Sequence, residues 1–180
     1  MPRGWVTAAE LRQWLDDYNA ADVTVSAVDL GGIEWAHCLS SDMRRAHVTA
    51  QTAFTGPITF SEDLREADVA PFQTGSLRLP IFVWRWMLRL AWATAHRSQR
   101  SIRDAFMQRV LRVAEKLAAQ DRDTLVVCHA GVMHFLRKEL LRRGYTGPRF
   151  AMAENARLYI FERALPNREA ATDPSAAARS

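Results

Sequence analysis

The run Thr124–Cys128, TLVVC, constrains the fold more than any other part of this sequence. It is uninterrupted and rich in β-branched residues, which is typical of a strand that is buried on both faces. Such strands belong to parallel sheets that carry helices on their faces. His129-Ala130-Gly131 follows directly, and a helix is predicted from about Val132 to Arg143, where Gly144 ends it. The run therefore indicates an α/β domain.

The rest of the chain alternates between predicted helices and strands. Thr7 and Glu10 have the spacing of a capping box, which predicts a helix from Thr7 to Tyr18. Asp42 is expected to cap a second helix that starts at Met43. Further helices are predicted to start at Pro80 and after Ser101. The other predicted strands are 35–39, 58–60 and 158–161. This order predicts a three-layer α/β/α domain with a mostly parallel sheet.

Length and composition limit the organisation of the chain. Its 180 residues suit one hydrophobic core of ordinary size, so we predict a single domain over residues 1–163 and a disordered tail over 164–180. Residues 72–100 are rich in Trp and Arg and are interpreted as a helical insertion, either a lid over an apolar substrate or a dimer face. With two cysteines and no disulfide framework, a cytoplasmic location is expected.

Membrane partners are not expected. The longest apolar stretch, Leu79–Ala95, contains Arg85 and Arg89. A bilayer span needs about 20 nearly uninterrupted apolar residues, so a transmembrane helix is not predicted.

Two polar clusters follow predicted strands, and ligands in parallel α/β sheets bind at these carboxyl ends. At one of them, His129 precedes a helix whose backbone N–H groups at Ala130 and Gly131 favour an anion. At the other, Arg45 lies in the first turn of a helix, where its forked guanidinium suits phosphate. Each feature alone has a structural explanation, a histidine at a strand end or a surface arginine.

Glu66 is a third candidate, in the segment Leu64-Arg65-Glu66 after a short strand. A carboxyl group at the rim of an anion site can protonate a leaving alkoxide. A solvated loop acid is the commoner explanation for such a residue.

Together, these motifs resemble the histidine phosphatase superfamily, also called the phosphoglycerate mutase-like family. Ser41-Asp42-Met43-Arg44-Arg45-Ala46 resembles its arginine motif, Leu64-Arg65-Glu66 its acid motif, and Val126–Val132 its second-histidine motif. The resemblance implies a metal-independent phosphomonoesterase that acts on a small phosphorylated molecule through a phosphohistidine, with no cofactor. It assigns His129 as the second histidine, Glu66 as the acid, and Arg45 and Ala130 as phosphate-binding residues.

The sequence departs from the family at one essential point. The family begins with a strand that ends in Arg-His-Gly and carries the nucleophilic histidine, and this motif is not present. We expect the upstream codons, read in frame, to encode that strand, which lies at the centre of the family's sheet. A stop codon close upstream of Met1 would contradict this expectation. The alternative is a catalytically dead, phosphate-binding pseudophosphatase.

Other functions are less well supported. Nucleic-acid binding is the main alternative, because Arg97, Arg100 and Arg103 form a basic string. A zinc site is not expected, since the neighbours His37 and Cys38 point to opposite faces of a strand. Cys128 is turned away from His129 by the same alternation, so it is a poor nucleophile candidate. Among the other histidines, His96 in the insertion is the least unsuitable substitute nucleophile.

Overall fold

The computed structural model describes residues 4–21, 28–68, 72 and 74–163. The tail 164–180, for which disorder was predicted, lies outside the described residues. Within the described ranges the elements are β1 (Trp5–Val6), α1 (Ala8–Ala20), β2 (His37–Ser41), α2 (Arg44–Ala53), β3 (Ile58–Ser61), a 3-10 turn (Glu62–Leu64), β4 (Leu79–Pro80), α3 (Ile81–Ala93), α4 (Arg100–Ala118), β5 (Thr124–Val127) and α5 (Ala130–Arg142).

The main sheet has the order β3-β2-β5, and both pairings are parallel. In its register, Leu39 of β2 lies between Thr59 of β3 and Val126 of β5. Every residue of the central strand β2 is buried, as expected for a strand that is covered on both faces. The α/β class with a parallel sheet is thus confirmed. A separate two-stranded antiparallel ribbon, β1 with β4, was not predicted.

Alternation along β2 assigns its side chains to two different packed layers. Leu39 packs in a core formed mainly with α4 and α5, which includes Phe106, Val110 and Leu136. Its neighbour Cys38 packs on the opposite side, with Ala50 of α2. The sheet therefore has helices on both faces. A third cluster joins β1, α1 and α3 around Trp84.

The helix predictions hold, and one capping prediction is wrong. Thr7 and Glu10 form the reciprocal capping box at the start of α1. Asp42, by contrast, does not cap α2: the strand continues to Ser41, two residues beyond its predicted end, and Met43 occupies the N-cap position. Asp42 instead forms an ion pair with Arg65 from the loop after β3.

The predicted last strand, 158–161, is also wrong. In this part of the described chain, the only β pairing is an isolated bridge between Thr146 and Glu162. A cavity of about 1720 Å³ is lined by all residues of β5 and by Leu158–Phe161, and no hydrogen-bonded ladder joins the two segments. A strand forms only where its backbone groups find a partner, so this segment stays irregular. Within the described residues, β5 is paired along one edge only.

None of the described helices is long and apolar enough to cross a bilayer.

Candidate functional site

His129 occupies the junction between β5 and α5, at the N-cap position of the helix. The parallel register pairs Ser40 with Val127, so the carboxyl ends of β2 and β5 lie side by side. As a result, the imidazole Nε2 of His129 is hydrogen-bonded to Ser41 Oγ at 3.0 Å. Ser41 is fully buried and His129 is half-buried.

Ser41 was not among the predicted site residues. Its hydroxyl oxygen accepts the backbone N–H of Met43 at 3.2 Å, so the hydroxyl hydrogen is available to His129. The neighbouring Ser40 points to the other face of the strand and donates to the carbonyl of Ser41. The sequence shows two adjacent serines, and only the order of the strands identifies the one that reaches the histidine.

Glu66 lies against the first turn of α5. Its Oε2 accepts the backbone N–H of Gly131 at 3.1 Å, and its Oε1 accepts the N–H of Ala67 at 3.1 Å. A Cβ atom at position 131 would collide with Glu66 Oε1, so the glycine permits this close approach. The Gly131 N–H was predicted to favour an anion. In the structure it donates to the carboxylate of Glu66. Ala130 lines the cavity beside His129.

The loop that carries Glu66 is held by α4. Arg109 donates from Nη1 to the carbonyl oxygens of Glu62 at 2.9 Å and Arg65 at 3.1 Å, and from Nη2 to that of Glu66 at 3.4 Å. In addition, Arg112 pairs with Asp63. These contacts tie the acid segment to the same helix that covers the sheet, so Glu66 has a fixed position relative to His129.

Arg45 lies in the first turn of α2 and is half-buried. Its guanidinium carbon is 4.2 Å from the centroid of the Tyr18 ring, and Nη2 donates to Asn19 Oδ1 at 3.3 Å. Both partners come from the end of α1, which the sequence did not connect with the site. The stacking is a cation–π contact, and Tyr18 itself is largely exposed.

Electrostatic interactions link these groups. Burial lowers the pKa of His129 below its ordinary value; Glu66 and Asp42 oppose this effect, whereas Arg45 reinforces it. The hydrogen bond from Arg65 lowers the pKa of Asp42. Arg45, Glu66 and His129 all line the large cavity. The three predicted side chains therefore border one cavity, and the charges of Arg45 and Glu66 act on the imidazole of His129. In the absence of an anion, burial favours the neutral form of this imidazole.

The remaining candidates lie outside this cluster or are unreactive. Cys128 lines the cavity, but burial raises the pKa of its thiol to about 12. His96 is exposed, hydrogen-bonded to Ser98 and packed edge-on against Phe72, and it does not line the cavity. Of the described residues, no three His, Cys, Asp or Glu side chains lie close enough together to hold a metal ion.

Comparison with known proteins gives one match. The family model described as "Histidine phosphatase superfamily (branch 1)" matches residues 2–170. No curated protein and no solved structure gives a significant match.

Proposed function

Because this chain belongs to the histidine phosphatase superfamily, we propose that it is a metal-independent phosphomonoesterase acting on a small phosphorylated molecule. The observation that carries the proposal is the shared cavity of Arg45, Glu66 and His129 at the carboxyl ends of parallel strands. This arrangement offers a forked cation, a proton donor and an imidazole to one tetrahedral anion. Fixed donors of this kind stabilise the charge of a phosphoryl group in transfer.

The proposed reaction has two steps. A nucleophilic imidazole forms an N–P bond while the ester P–O bond breaks, and Glu66 in its acid form gives its proton to the leaving oxygen. Water then attacks phosphorus and breaks the N–P bond, with Glu66 accepting the proton from that water. Arg45 and protonated His129 hold the phosphoryl oxygens in both steps. The products are the free alcohol and inorganic phosphate.

The first step requires a nucleophilic histidine in addition to His129. Of the described residues, His129 is the one histidine that lines the cavity, and its proposed role is to bind phosphate. We propose that the nucleophile is carried by a strand that pairs with the second edge of β5 and extends into this cavity. Apolar side chains that line the cavity, among them Leu125 and Leu158, are suited to cover such a strand.

Aryl-phosphate hydrolysis tests the proposal. A chain extended by its upstream in-frame codons is expected to hydrolyse p-nitrophenyl phosphate in the presence of a metal chelator. His129→Ala should lower the rate about a thousandfold, since it removes a donor to the phosphoryl oxygens. Activity that disappears with the chelator would contradict the metal-free mechanism.

The alternative is a protein that binds phosphate without turnover. It is supported by the cavity lining, which contains no second histidine among the described residues. For the 180-residue chain, both functions predict that inorganic phosphate raises the pKa of His129, which an NMR titration with and without phosphate would measure. A phosphohistidine trapped on the extended chain by rapid acid quench identifies the esterase. The pseudophosphatase would be identified by a different result. In that case the extended chain contains a histidine at the second edge of β5 and binds phosphate, but it hydrolyses no phosphate ester.

A further inference from the structure

Helix α3 presents a row of large apolar side chains to solvent. Phe82, Trp86 and Leu90 follow one another at intervals of four residues, and they are 62%, 69% and 64% exposed. Residues four apart lie on the same side of a helix, so the three form one continuous line along it. We refer to these three residues as the α3 outer face.

The opposite side fixes how the helix sits. Trp84 is fully buried, and its indole Nε1 donates to the carbonyl of Val6 at 2.9 Å. Ala91, two turns further on, is also buried. The outer face therefore cannot turn inward without breaking this hydrogen bond and exposing Trp84. Its exposure is a property of the packed domain, and a contiguous apolar row of this kind marks an interaction surface.

The charged residues of α3 itself are all arginines. Arg85 and Arg89 are exposed, and at about 100° per residue they lie about 60° and 20° from Phe82 around the helix. Between Asp68 and Asp104 the sequence contains no acidic residue and six arginines, which are Arg78, Arg85, Arg89, Arg97, Arg100 and Arg103. Of these, Arg78 is ion-paired with Glu10 of α1 at 3.0 Å. A partner for this surface must be apolar at its centre and anionic alongside.

From this combination we propose that the α3 outer face docks on an anionic lipid surface. Phe82, Trp86 and Leu90 enter the boundary between headgroups and acyl chains, and Arg85 and Arg89 stay at the level of the lipid phosphates. The helix has 13 residues and is about 20 Å long, so it lies along the surface and does not span it. The proposal departs from the sequence-based expectation of no membrane partner, which considered only spanning segments.

Two other partners fit the surface less well. A second copy of the chain, packed face to face, would bring Arg85 and Arg89 of both copies to the interface, and α3 has no acidic residue to pair with them. A nucleic acid also supplies phosphates. Proteins that bind nucleic acids place their cations along the path of the phosphate backbone, whereas the centre of the α3 outer face is a line of aromatic and aliphatic side chains. An anionic lipid surface provides both an apolar layer for the α3 outer face and phosphates for Arg85 and Arg89.

Vesicle co-sedimentation of the whole chain tests the proposal. The probes are vesicles of phosphatidylcholine alone and of phosphatidylcholine mixed equally with phosphatidylglycerol. We expect binding to the anionic vesicles, weakened by salt, and little binding to the neutral ones. Trp86→Gln should reduce the partition coefficient at least tenfold, and Arg85→Gln with Arg89→Gln should reduce it about fivefold per arginine. Met152→Gln, at an equally exposed apolar residue outside α3, is the matched control and should leave binding unchanged.

Three results would overturn the proposal. One is equal binding of the wild-type chain and Trp86→Gln to anionic vesicles. The second is a concentration-dependent dimer in analytical ultracentrifugation that Trp86→Gln dissociates, without vesicle binding, which would assign the face to a second copy. The third is salt-sensitive retention on RNA or DNA that depends on Arg85 and Arg89 and not on Trp86. The test is independent of phosphate hydrolysis. All substituted side chains are exposed, and circular dichroism checks that each variant is folded.

Discussion

The two halves of the candidate site are built differently. In the histidine half (Ser41, Glu66, His129 and Gly131), each polar side chain is hydrogen-bonded to the backbone or to a buried partner. In the arginine half (Tyr18, Asn19 and Arg45), a half-buried guanidinium rests on an exposed ring and forms a 3.3 Å hydrogen bond to an exposed amide. The first half is held by buried and backbone partners, and the second holds its cation through exposed side chains.

This difference fits the chemistry that each half would perform. A group that transfers a proton must be held within hydrogen-bonding distance of the reacting atom, and small displacements reduce the rate greatly. A guanidinium stands on a long, rotatable side chain, so it can adjust its position when phosphate binds, and its planar fork then sets the final geometry. Substitutions in the histidine half are therefore expected to have larger effects than those in the arginine half.

After His129→Ala, the largest effect is expected for Gly131→Ala. The added methyl group occupies the position of Glu66 Oε1 and displaces the carboxyl group, so kcat of the extended chain should fall about a hundredfold. The free energy of unfolding should change by less than about 1 kcal/mol, because the displaced atom ends a flexible side chain and alanine favours the helix.

A double-mutant cycle supplies the control for this variant. In a Glu66→Ala background there is no carboxyl group to displace, so Gly131→Ala should have no further effect on kcat. A full additional loss in that background would mean that Gly131 acts through the backbone and not through Glu66.

Ser41→Ala should have the next largest effect. It leaves His129 and the Met43 N–H without their buried partner, and we expect a loss of about 1–3 kcal/mol in the free energy of unfolding, measured by urea denaturation. Ser40→Ala is the matched control, because Ser40 is equally buried but does not contact His129. The control should leave the NMR titration of His129 unchanged, whereas Ser41→Ala should shift it. Equal shifts in the two variants would contradict the assignment of Ser41.

The pH dependence of stability should reflect the buried imidazole. Because burial lowers the pKa of His129, the unfolded chain binds more protons near the ordinary value of about 6.5. Stability should therefore fall as the pH decreases from about 6.5 toward the folded-state pKa, as followed by thermal unfolding. His129→Gln should remove this contribution, and saturating phosphate should weaken it. An unchanged slope in His129→Gln would show that another group is responsible.

The smallest effect is expected in the arginine half. Tyr18→Leu removes the aromatic face under Arg45, a contact worth about 0.5–1 kcal/mol, so phosphate affinity should fall about two- to fivefold. Tyr18→Phe keeps the ring and should bind phosphate normally in isothermal titration calorimetry. An equal loss of phosphate affinity in Tyr18→Phe would contradict the role assigned to the aromatic face.

Local sequence patterns predicted much of the fold. The capping box located the start of α1, and the run TLVVC located β5 to within one residue. Such signals act through neighbouring residues, whose backbone angles and side-chain periodicity decide the element. The wrong predictions concern residues whose partners are distant in the sequence. Asp42 was predicted to cap α2, but its carboxylate is bound by Arg65, 23 residues away. Likewise, the segment 158–161 has a strand-like sequence, but no strand of the described residues pairs with it.

The sequence by itself determined which groups of this protein are available for chemistry: an imidazole and a glycine after a buried strand, an arginine in a first helical turn, and an acid in a loop. Only the tertiary structure decided that Ser41 contacts His129, 88 residues away, and that the end of α1 holds Arg45. The physical reason is that a residue's own conformation depends on its near neighbours, whereas its long-range contacts depend on how strands order and helices pack across the whole domain.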